Sequence, residues 1–408
     1  MTGDTERLEL IESALRVKGW DALVTFHPDS ILMTTGMFPG STHVASVVTS
    51  DGKVVLITPW WRESFVREES WAKEILCFDW CKPNCRIDPA QALFELLKKS
   101  ANDLALERIG FEGQVHHYNP AKLPSELFTY QEIKERLPEI FRQSEDATPV
   151  IHELKAVKTK CELEKLRLTH EVAWAGVQAF YRNAVPGIRE CDLAAEVNFA
   201  VLKMVGHKGI RYTYCDPPQI SSGSERTVAG DTMSNHATQR RLQERDPVML
   251  EVGLHADGYW ADITRCLVVG GALEIHERLH EAVLEAQRAA VAAYVPFAST
   301  GEQLCEAAWE VMLNAGFGEG ITHGLGHGVG FAYHEDRPNL RPGCRTPIRP
   351  GQVTSLEPGL YWRTNGMPVA GIRVEDNVVW GRENGQVEVL SNFYGGLGGC
   401  FGEKSFSS

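Results

Sequence analysis

The sequence predicts an α+β protein of two domains, an alternating α/β domain followed by a larger domain of helices and antiparallel hairpins. Three observations carry this. Residues 1–150 alternate helix-like and β-rich segments, a long amphipathic stripe opens the remainder, and beyond that stripe apolar β-runs are joined by tight turns. A chain of 408 residues has room for two or three domains, each with its own core.

Thr5 to Lys18 reads as a helix and Asp21-Ala-Leu-Val-Thr-Phe as a strand. Ala45-Ser-Val-Val-Thr and Lys53-Val-Val-Leu-Ile form a hairpin, with Gly52 in Ser50-Asp-Gly-Lys at the turn. Arg108-Ile-Gly-Phe-Glu is a further strand and Tyr130 to Leu137 a helix, before the turn-rich Ser144-Glu-Asp-Ala-Thr-Pro. The boundary is placed there, giving domains 1–150 and 151–400. From Lys158 to Tyr181, Leu163, Leu166, Ala173, Val177 and Phe180 share one helical stripe that only His170 breaks. Val185-Pro-Gly precedes a helix from Glu190 to Met204, and Val295-Pro-Phe another from Thr300 to Asn314, each closing on a glycine, Gly206 and Gly316. The repetition hints at two similar halves around a shared centre. Around them lie β-rich segments at Val248 to Gly253, Trp260 to Val269, Gln352 to Trp362 and Gly371 to Trp380.

Composition narrows the function. Hydrophobic residues make up 43% and charged residues 23%, the balance of a folded globular protein. The net charge of −13 opposes a phosphate backbone, so no nucleic-acid partner is expected. MTGDTERLEL does not read as a secretory signal and no apolar stretch reaches the ~18 residues of a membrane span, so no membrane association is expected. Ten scattered cysteines read as reduced thiols and point to the cytoplasm. Cys77, Cys81 and Cys85 lack the CxxC spacing of zinc knuckles and Pro83 interrupts them, so they are not expected to hold a metal. The glycine-rich tail from Gly395 is expected to be mobile at its end and is given no role.

The chemistry concentrates in three elements. In Val248-Met-Leu-Glu-Val-Gly-Leu-His-Ala-Asp-Gly-Tyr-Trp-Ala-Asp-Ile-Thr-Arg, an Asp257-Gly258 turn pairs Gly253 with Asp262 and Glu251 with Thr264. Glu251 and Asp262 then become diagonal neighbours about 7 Å apart on one face, able to grip one or two metal ions, with Gly253 leaving room for them. A second hairpin, with its connection near Gly366, sets Glu357 in Leu356-Glu-Pro-Gly opposite Glu375 in Gly371-Ile-Arg-Val-Glu-Asp. Two acids so placed need a proton, an arginine or a cation between them, and Arg373 shares the face of Glu375. In Thr322-His-Gly-Leu-Gly-His-Gly-Val-Gly-Phe-Ala-Tyr-His-Glu, three histidines, His323, His327 and His334, stand among glycines that let the backbone approach closely. His236 adds a fourth imidazole in a loop before the first acidic strand. Four carboxylates and a histidine make a hard, oxygen-rich donor set that suits Mn or Fe, with Co or Zn as alternatives. Two such ions turn a shared water into hydroxide near neutral pH and polarise a carbonyl, so hydrolysis of an amide is the expected output.

GLGHGVGFAYHE, LEPGLY, GIRVED and the ADITR strand, in this order, resemble the pita-bread metallopeptidases: prolidase, aminopeptidase P and methionine aminopeptidase, with creatinase as a metal-free relative. Asp21-Ala-Leu-Val-Thr, Leu32-Met-Thr-Thr-Gly and Ile109-Gly-Phe-Glu resemble that family's creatinase-like N-terminal domain. The resemblance implies a pita-bread domain with a curved antiparallel sheet flanked by helices, behind a smaller α/β domain. It implies two divalent ions, Mn first, held by Glu251, Asp262, His327, Glu357 and Glu375. Glu357 would also be the general base, His236, His323 and His334 would contact substrate or move protons, and Arg373 would support the metal ligands. The implied activity is Xaa-Pro exopeptidase, of aminopeptidase P or prolidase type, on a small peptide, in a homodimer. The peptidases place Asp where this chain has Glu251, and in His334-Glu-Asp-Arg-Pro the proline comes one residue later than in their HExP segment. Creatinase-like or ectoine-hydrolase-like cleavage of a C–N bond in a small molecule is therefore the first alternative, and a non-catalytic binding protein of the same fold the second.

Overall fold

The protein is described from a computed structural model, which covers residues 3–39, 43–80, 87–113, 130–138, 143–229, 236–381, 385–391, 393–398 and 401–403. The chain divides into two compact units, Met1–Cys161 and Glu162–Ser408.

The first unit runs α1 (Thr5–Lys18), β1 (Ala22–Thr25), α2 (Pro28–Thr35), β2 (Ala45–Thr49), β3 (Val54–Pro59), α3 (Glu63–Glu69), β4 (Glu74–Phe78), α4 (Pro89–Asp103), β5 (Ile109–Phe111), α5 (Tyr130–Arg136), β6 (Glu145–Asp146) and α6 (Thr148–Ala156). Its strands form one sheet in the order β4-β3-β2-β1-β5-β6. The β1-β2-β3 centre is antiparallel, and the other neighbours run parallel. Asp4 caps α1 by accepting from the Arg7 N–H at 3.1 Å, and Gly19, at φ 65°, ends it in the left-handed conformation that glycine adopts without strain. In α4, Ala90, Leu93, Phe94, Leu97 and Ala101 form the buried stripe that packs on the apolar sheet residues Val24, Val47, Val55, Ile57 and Phe111. Helix α6 belongs to the first unit, and the buried Arg7 guanidinium donates to the Leu154 carbonyl at 2.6 Å and the Val157 carbonyl at 2.8 Å. Those bonds use carbonyls that the end of a helix leaves open.

The second unit runs α7 (Lys160–Asn183), α8 (Glu190–Leu202), β7 (Thr213–Cys215), β8 (Gln219–Ser222), α9 (Ser224–Val228), β9 (Pro247–Ala256), β10 (Tyr259–Val268), α10 (Glu274–Ala292) and α11 (Gly301–Asn314). It continues with β11 (Gly326–Gly328), β12 (Glu335–Leu340), β13 (Val353–Leu356), β14 (Gly359–Thr364), β15 (Met367–Arg373), β16 (Asp376–Val379), β17 (Glu388–Val389), β18 (Phe393–Gly395) and β19 (Phe401–Glu403). Every strand pair described in this unit is antiparallel. Strands β7 to β10 make one sheet, on which α7 and α8 bury Val172, Val177, Phe180, Leu193 and Val197. Strands β12-β11-β13-β16-β17 make a second, whose core is shared with α10 and α11 through Leu279, Val283, Leu304 and Ala308. Among the described residues, two two-stranded sheets, β14-β15 and β18-β19, complete the unit beside these two larger helix-backed sheets, the α+β arrangement expected. In the tail, β18 pairs with β19 as far as Glu403, and the end that was expected to be mobile, residues 404–408, lies outside the described residues. Of the cysteine cluster, Cys77 lies on β4, and Cys81 and Cys85 fall outside the described residues.

Candidate metal centre

The site forms where the edge strand β10 meets β11 and the ends of β13 and β16 in the second unit. Asp257 and Gly258, at φ 49° and 93°, close the β9-β10 turn, the left-handed pair that a two-residue hairpin requires. Gly253 pairs with Asp262 and Glu251 with Thr264, the register expected from the sequence. Leu356 pairs with Asp376 and Gly359 with Arg373, so Glu357 and Glu375 stand across from each other between those two pairs. A single bridge, Thr264 to Glu375, joins the two sheets. In β11, Gly326 and Gly328 let the strand come close to its neighbours, since a Cβ at Gly326 would lie 2.3 Å from the Ser355 carbonyl oxygen.

Two groups of ligand atoms converge there, Asp262 with His327 and His334, and His327 with Glu357 and Glu375, each within 4.8 Å. His327 Nε2 lies 3.5 Å from Asp262 Oδ2 and 3.3 Å from Glu357 Oε1, and His334 Nε2 lies 3.8 Å from Asp262 Oδ2. The other nitrogen of His327, Nδ1, is 3.0 Å from the Gly328 carbonyl, which can only accept, so Nε2 is the one turned to the acids. Thr264 Oγ1 donates to Glu375 Oε2 at 2.7 Å, and Ser355 Oγ donates to Glu357 Oε1 at 3.0 Å.

Glu251 is in neither group. Its Oε1 accepts from the Tyr333 hydroxyl at 2.8 Å and its Oε2 is ion-paired with Arg373. The room that the sequence placed over Gly253 is filled, because a Cβ there would lie 2.3 Å from the Tyr333 ring. Arg373 also donates to Tyr361 Oη at 2.7 Å and to Thr264 Oγ1 at 3.1 Å. His323 joins this network through Nε2, 3.1 Å from Tyr361 Oη. His236 is exposed, and its backbone bridges Gln219, the residue that pairs with Glu251. That places His236 two strand spacings, about 10 Å, from Glu251 across the sheet.

Sequence reasoning missed Tyr333, Tyr361, Thr264, Asn377 and His170. Only His170 left a signal, as the polar break in an apolar stripe: it is buried, with Nε2 2.9 Å from Asn377 Oδ1.

The electrostatics call for a cation. Burial, reinforced by Glu251 and Glu357, pushes the Asp262 carboxyl up to about 7 although His327 pulls it down. Glu375 rises well above the usual carboxylate range through burial and the nearby Asp262 and Glu357. Burial opposes charge on His327, yet its bond to Asp262 and the Glu357 carboxylate carry it to about 9. Burial also raises Glu357, but His327, His323, Arg373 and His334 outweigh it and hold that carboxyl low. His334 falls to about 3 through burial and the neighbouring His327. Asp262 Oδ1 and Glu375 Oε1 are buried without a hydrogen-bond partner. Orphaned, acid-rich and facing one imidazole nitrogen, these oxygens fit a divalent ion.

The model of metallopeptidase family M24 matches residues 164–381, and that of the creatinase/prolidase N-terminal domain matches residues 7–157. An Xaa-Pro dipeptidase of Pyrococcus furiosus is 29% identical over 375 residues, 92% of this chain and 94% of its own. Among solved structures, the prolidase of Pyrococcus furiosus superimposes with a TM-score of 0.71 at 25% identity, over 93% of this chain and 98% of its own. An X-Pro aminopeptidase of Thermotoga maritima, at 23% identity, shares the fold with a TM-score of 0.74 over 93% of this chain and 97% of its own.

Proposed function

The chain belongs to metallopeptidase family M24, and from that membership we propose that it is a metal-dependent Xaa-Pro dipeptidase. The observation that carries the reading is the gathering of Asp262 on one side and Glu357 and Glu375 on the other around a shared His327, with two orphaned carboxylate oxygens. These four residues would hold the divalent metal, Mn being the ion proposed for so oxygen-rich a set. When bound, that metal supplies Lewis-acid polarisation of the scissile carbonyl and lowers the pKa of water. Glu357, held ionised by its cationic neighbours, is the general base that takes the proton from the attacking water. His334, neutral at physiological pH, accepts a hydrogen bond from the substrate or passes a proton to the leaving amine. His323, tied to Arg373 through the Tyr361 hydroxyl, and the exposed His236 would contact substrate or move protons. Arg373 holds Glu251 and Thr264 in place.

The substrate class follows from the Xaa-Pro dipeptidase and prolidase relatives. A cytoplasmic homodimer completes the proposal, and exposed Trp60, Trp61 and Phe65 at one side of the first unit offer apolar surface for a subunit contact. The test is hydrolysis of Xaa-Pro dipeptides, Xaa-Pro-containing tripeptides, creatine and ectoine by Mn-loaded protein. Cleavage of the dipeptides, abolished by chelation and by Glu357→Gln, is expected. Cleavage of tripeptides alone would reassign the chain to the aminopeptidases, and cleavage of creatine or ectoine alone to the small-molecule C–N hydrolases.

A further inference from the structure

We propose that Gln219 sets specificity: its carboxamide, lying between Glu251 and His236 on the sheet face that carries the acids, hydrogen-bonds a neutral polar side chain on Xaa, the substrate residue before proline. The inference rests on the Xaa-Pro reading above.

The strand register places Gln219 there. Residues directly opposite in antiparallel strands share a face, with Cβ atoms about 5 Å apart. Glu375 bridges Thr264, Thr264 pairs with Glu251, Glu251 pairs with Gln219, and Gln219 bridges His236. These five residues form one row across the strands. Side-chain bonds along the row agree with this, since Thr264 donates to Glu375 and Arg373 reaches both Thr264 and Glu251. Asp262, two residues before Thr264 on β10, shares the face. Gln219 is therefore the first residue beyond Glu251, one strand spacing away.

Its side chain is unspent. Glu375, Thr264 and Glu251 are bound to one another, to Arg373 or to Tyr333. Gln219 is half-buried and, among the described residues, its carboxamide makes no hydrogen bond. A carboxamide offers two donors and an acceptor and carries no charge, which matches a neutral hydrogen-bonding group better than either charged terminus of a dipeptide. Proline has no such side chain, so the group belongs to Xaa.

The position is also rigid. Glu190, fully buried at the start of α8, ties β8 to the segment carrying His236. Its Oε1 accepts from the Ser222 N–H at 2.9 Å and the Ser222 hydroxyl at 2.7 Å, and its Oε2 accepts from the Thr238 N–H at 2.9 Å. Arg226 donates from Nε to Glu190 Oε1 and from Nη2 to the His236 carbonyl, each at 3.1 Å. A carboxamide on backbone held this firmly discriminates between side chains without first having to order the strand.

The experiment measures kcat/KM of Mn-loaded protein on two pairs of nearly isosteric dipeptides, Asn-Pro with Leu-Pro and Thr-Pro with Val-Pro, and on Lys-Pro. The wild type is expected to favour the polar member of each pair. Gln219→Leu should lower both polar-to-apolar ratios about tenfold. Gln219→Glu should raise Lys-Pro relative to Leu-Pro by about as much, a gain that damaged folding cannot produce. A wild type that favours the apolar members, ratios within about twofold of wild type in a folded variant, or an equal loss on every dipeptide would overturn the inference. The wild-type preference decides it even where both variants fail to fold. Wild-type protein that cleaves none of these dipeptides would sink the Xaa-Pro reading and this inference together, whereas cleavage that is indifferent to residue 219 would sink this inference alone.

Discussion

Asn377 grips the backbone of Asp262 at both ends: its Oδ1 accepts from the Asp262 N–H at 3.0 Å and its Nδ2 donates to the Asp262 carbonyl at 2.9 Å. His170 holds the same Oδ1 from behind. Asn377→Ala would leave both backbone groups of a buried strand without these partners, at about 1–3 kcal/mol for each. The expected result is a stability loss of roughly 2–6 kcal/mol in denaturant melts, together with weaker divalent-metal binding. Unchanged metal affinity in a folded variant would show that Asp262 is positioned by its strand alone.

In the metal-free protein a proton on His327 takes the place of the cation. Its folded-state pKa of about 9 exceeds the ordinary value, so this stabilisation is complete below about pH 6.5 and lost as the pH rises through 9. Asp262, raised to about 7, acts in the same direction over the lower range: its folded form prefers the proton, and stability falls from about pH 4 to 7. Below about pH 6.5 the neutral His334 opposes this trend, so thermal melts of metal-free protein should fall between about pH 6.5 and 9. Divalent metal must displace these protons, so its affinity should rise over the same range, which calorimetry in buffers of different ionisation enthalpy will register as proton release.

Arg373 reaches Glu251, Thr264 and Tyr361 from a buried position. Arg373→Ala breaks a largely buried ion pair and strands the Glu251 carboxylate, a loss of roughly 3–5 kcal/mol. Arg373→Lys should recover only part of it, since an ammonium cannot span three partners as the planar guanidinium does. Equal melting temperatures for the Lys variant and the wild type would contradict this account.

Gly253→Ala places a methyl group 2.3 Å from the Tyr333 ring. The ring or the strand must move, and overpacking of this kind costs about 1–3 kcal/mol. Adding Tyr333→Ala should remove the clash, so the double variant should be more stable than the sum of the two single effects predicts.

How far the sequence reveals this arrangement depends on the range of each interaction. The turn residues Asp257 and Gly258 fix the β9-β10 register, and with it the pairing of Gly253 with Asp262 and of Glu251 with Thr264, because a hairpin's register is local information. The same holds for Glu357 and Glu375, set by the β14-β15 hairpin. The destination of Glu251 was not legible, because it depends on where Tyr333 lands, 82 positions away in the chain, and no periodicity encodes a ring laid over a distant glycine. Asn377 and Thr264 act through backbone and hydroxyl bonds that any polar strand residue can make. The hold of Arg7 on the end of α6 is equally hidden, since the partners lie about 150 positions apart.

Glu357 and Glu375 sit where neither ladder continues: the chain leaves β13 for β14 at one and β15 for β16 at the other, and their N–H groups turn aside to the Leu325 and Thr264 carbonyls. The second unit therefore has a seam, and its acids are the stitch holes. A cation bound there would act as a rivet between two plates, and the rate at which it departs would then limit how often the plates part. Amide hydrogen exchange along Leu325, Glu357 and Glu375 would keep time with metal release, and loss of the ion would cost the protein its rigidity and its chemistry in one event.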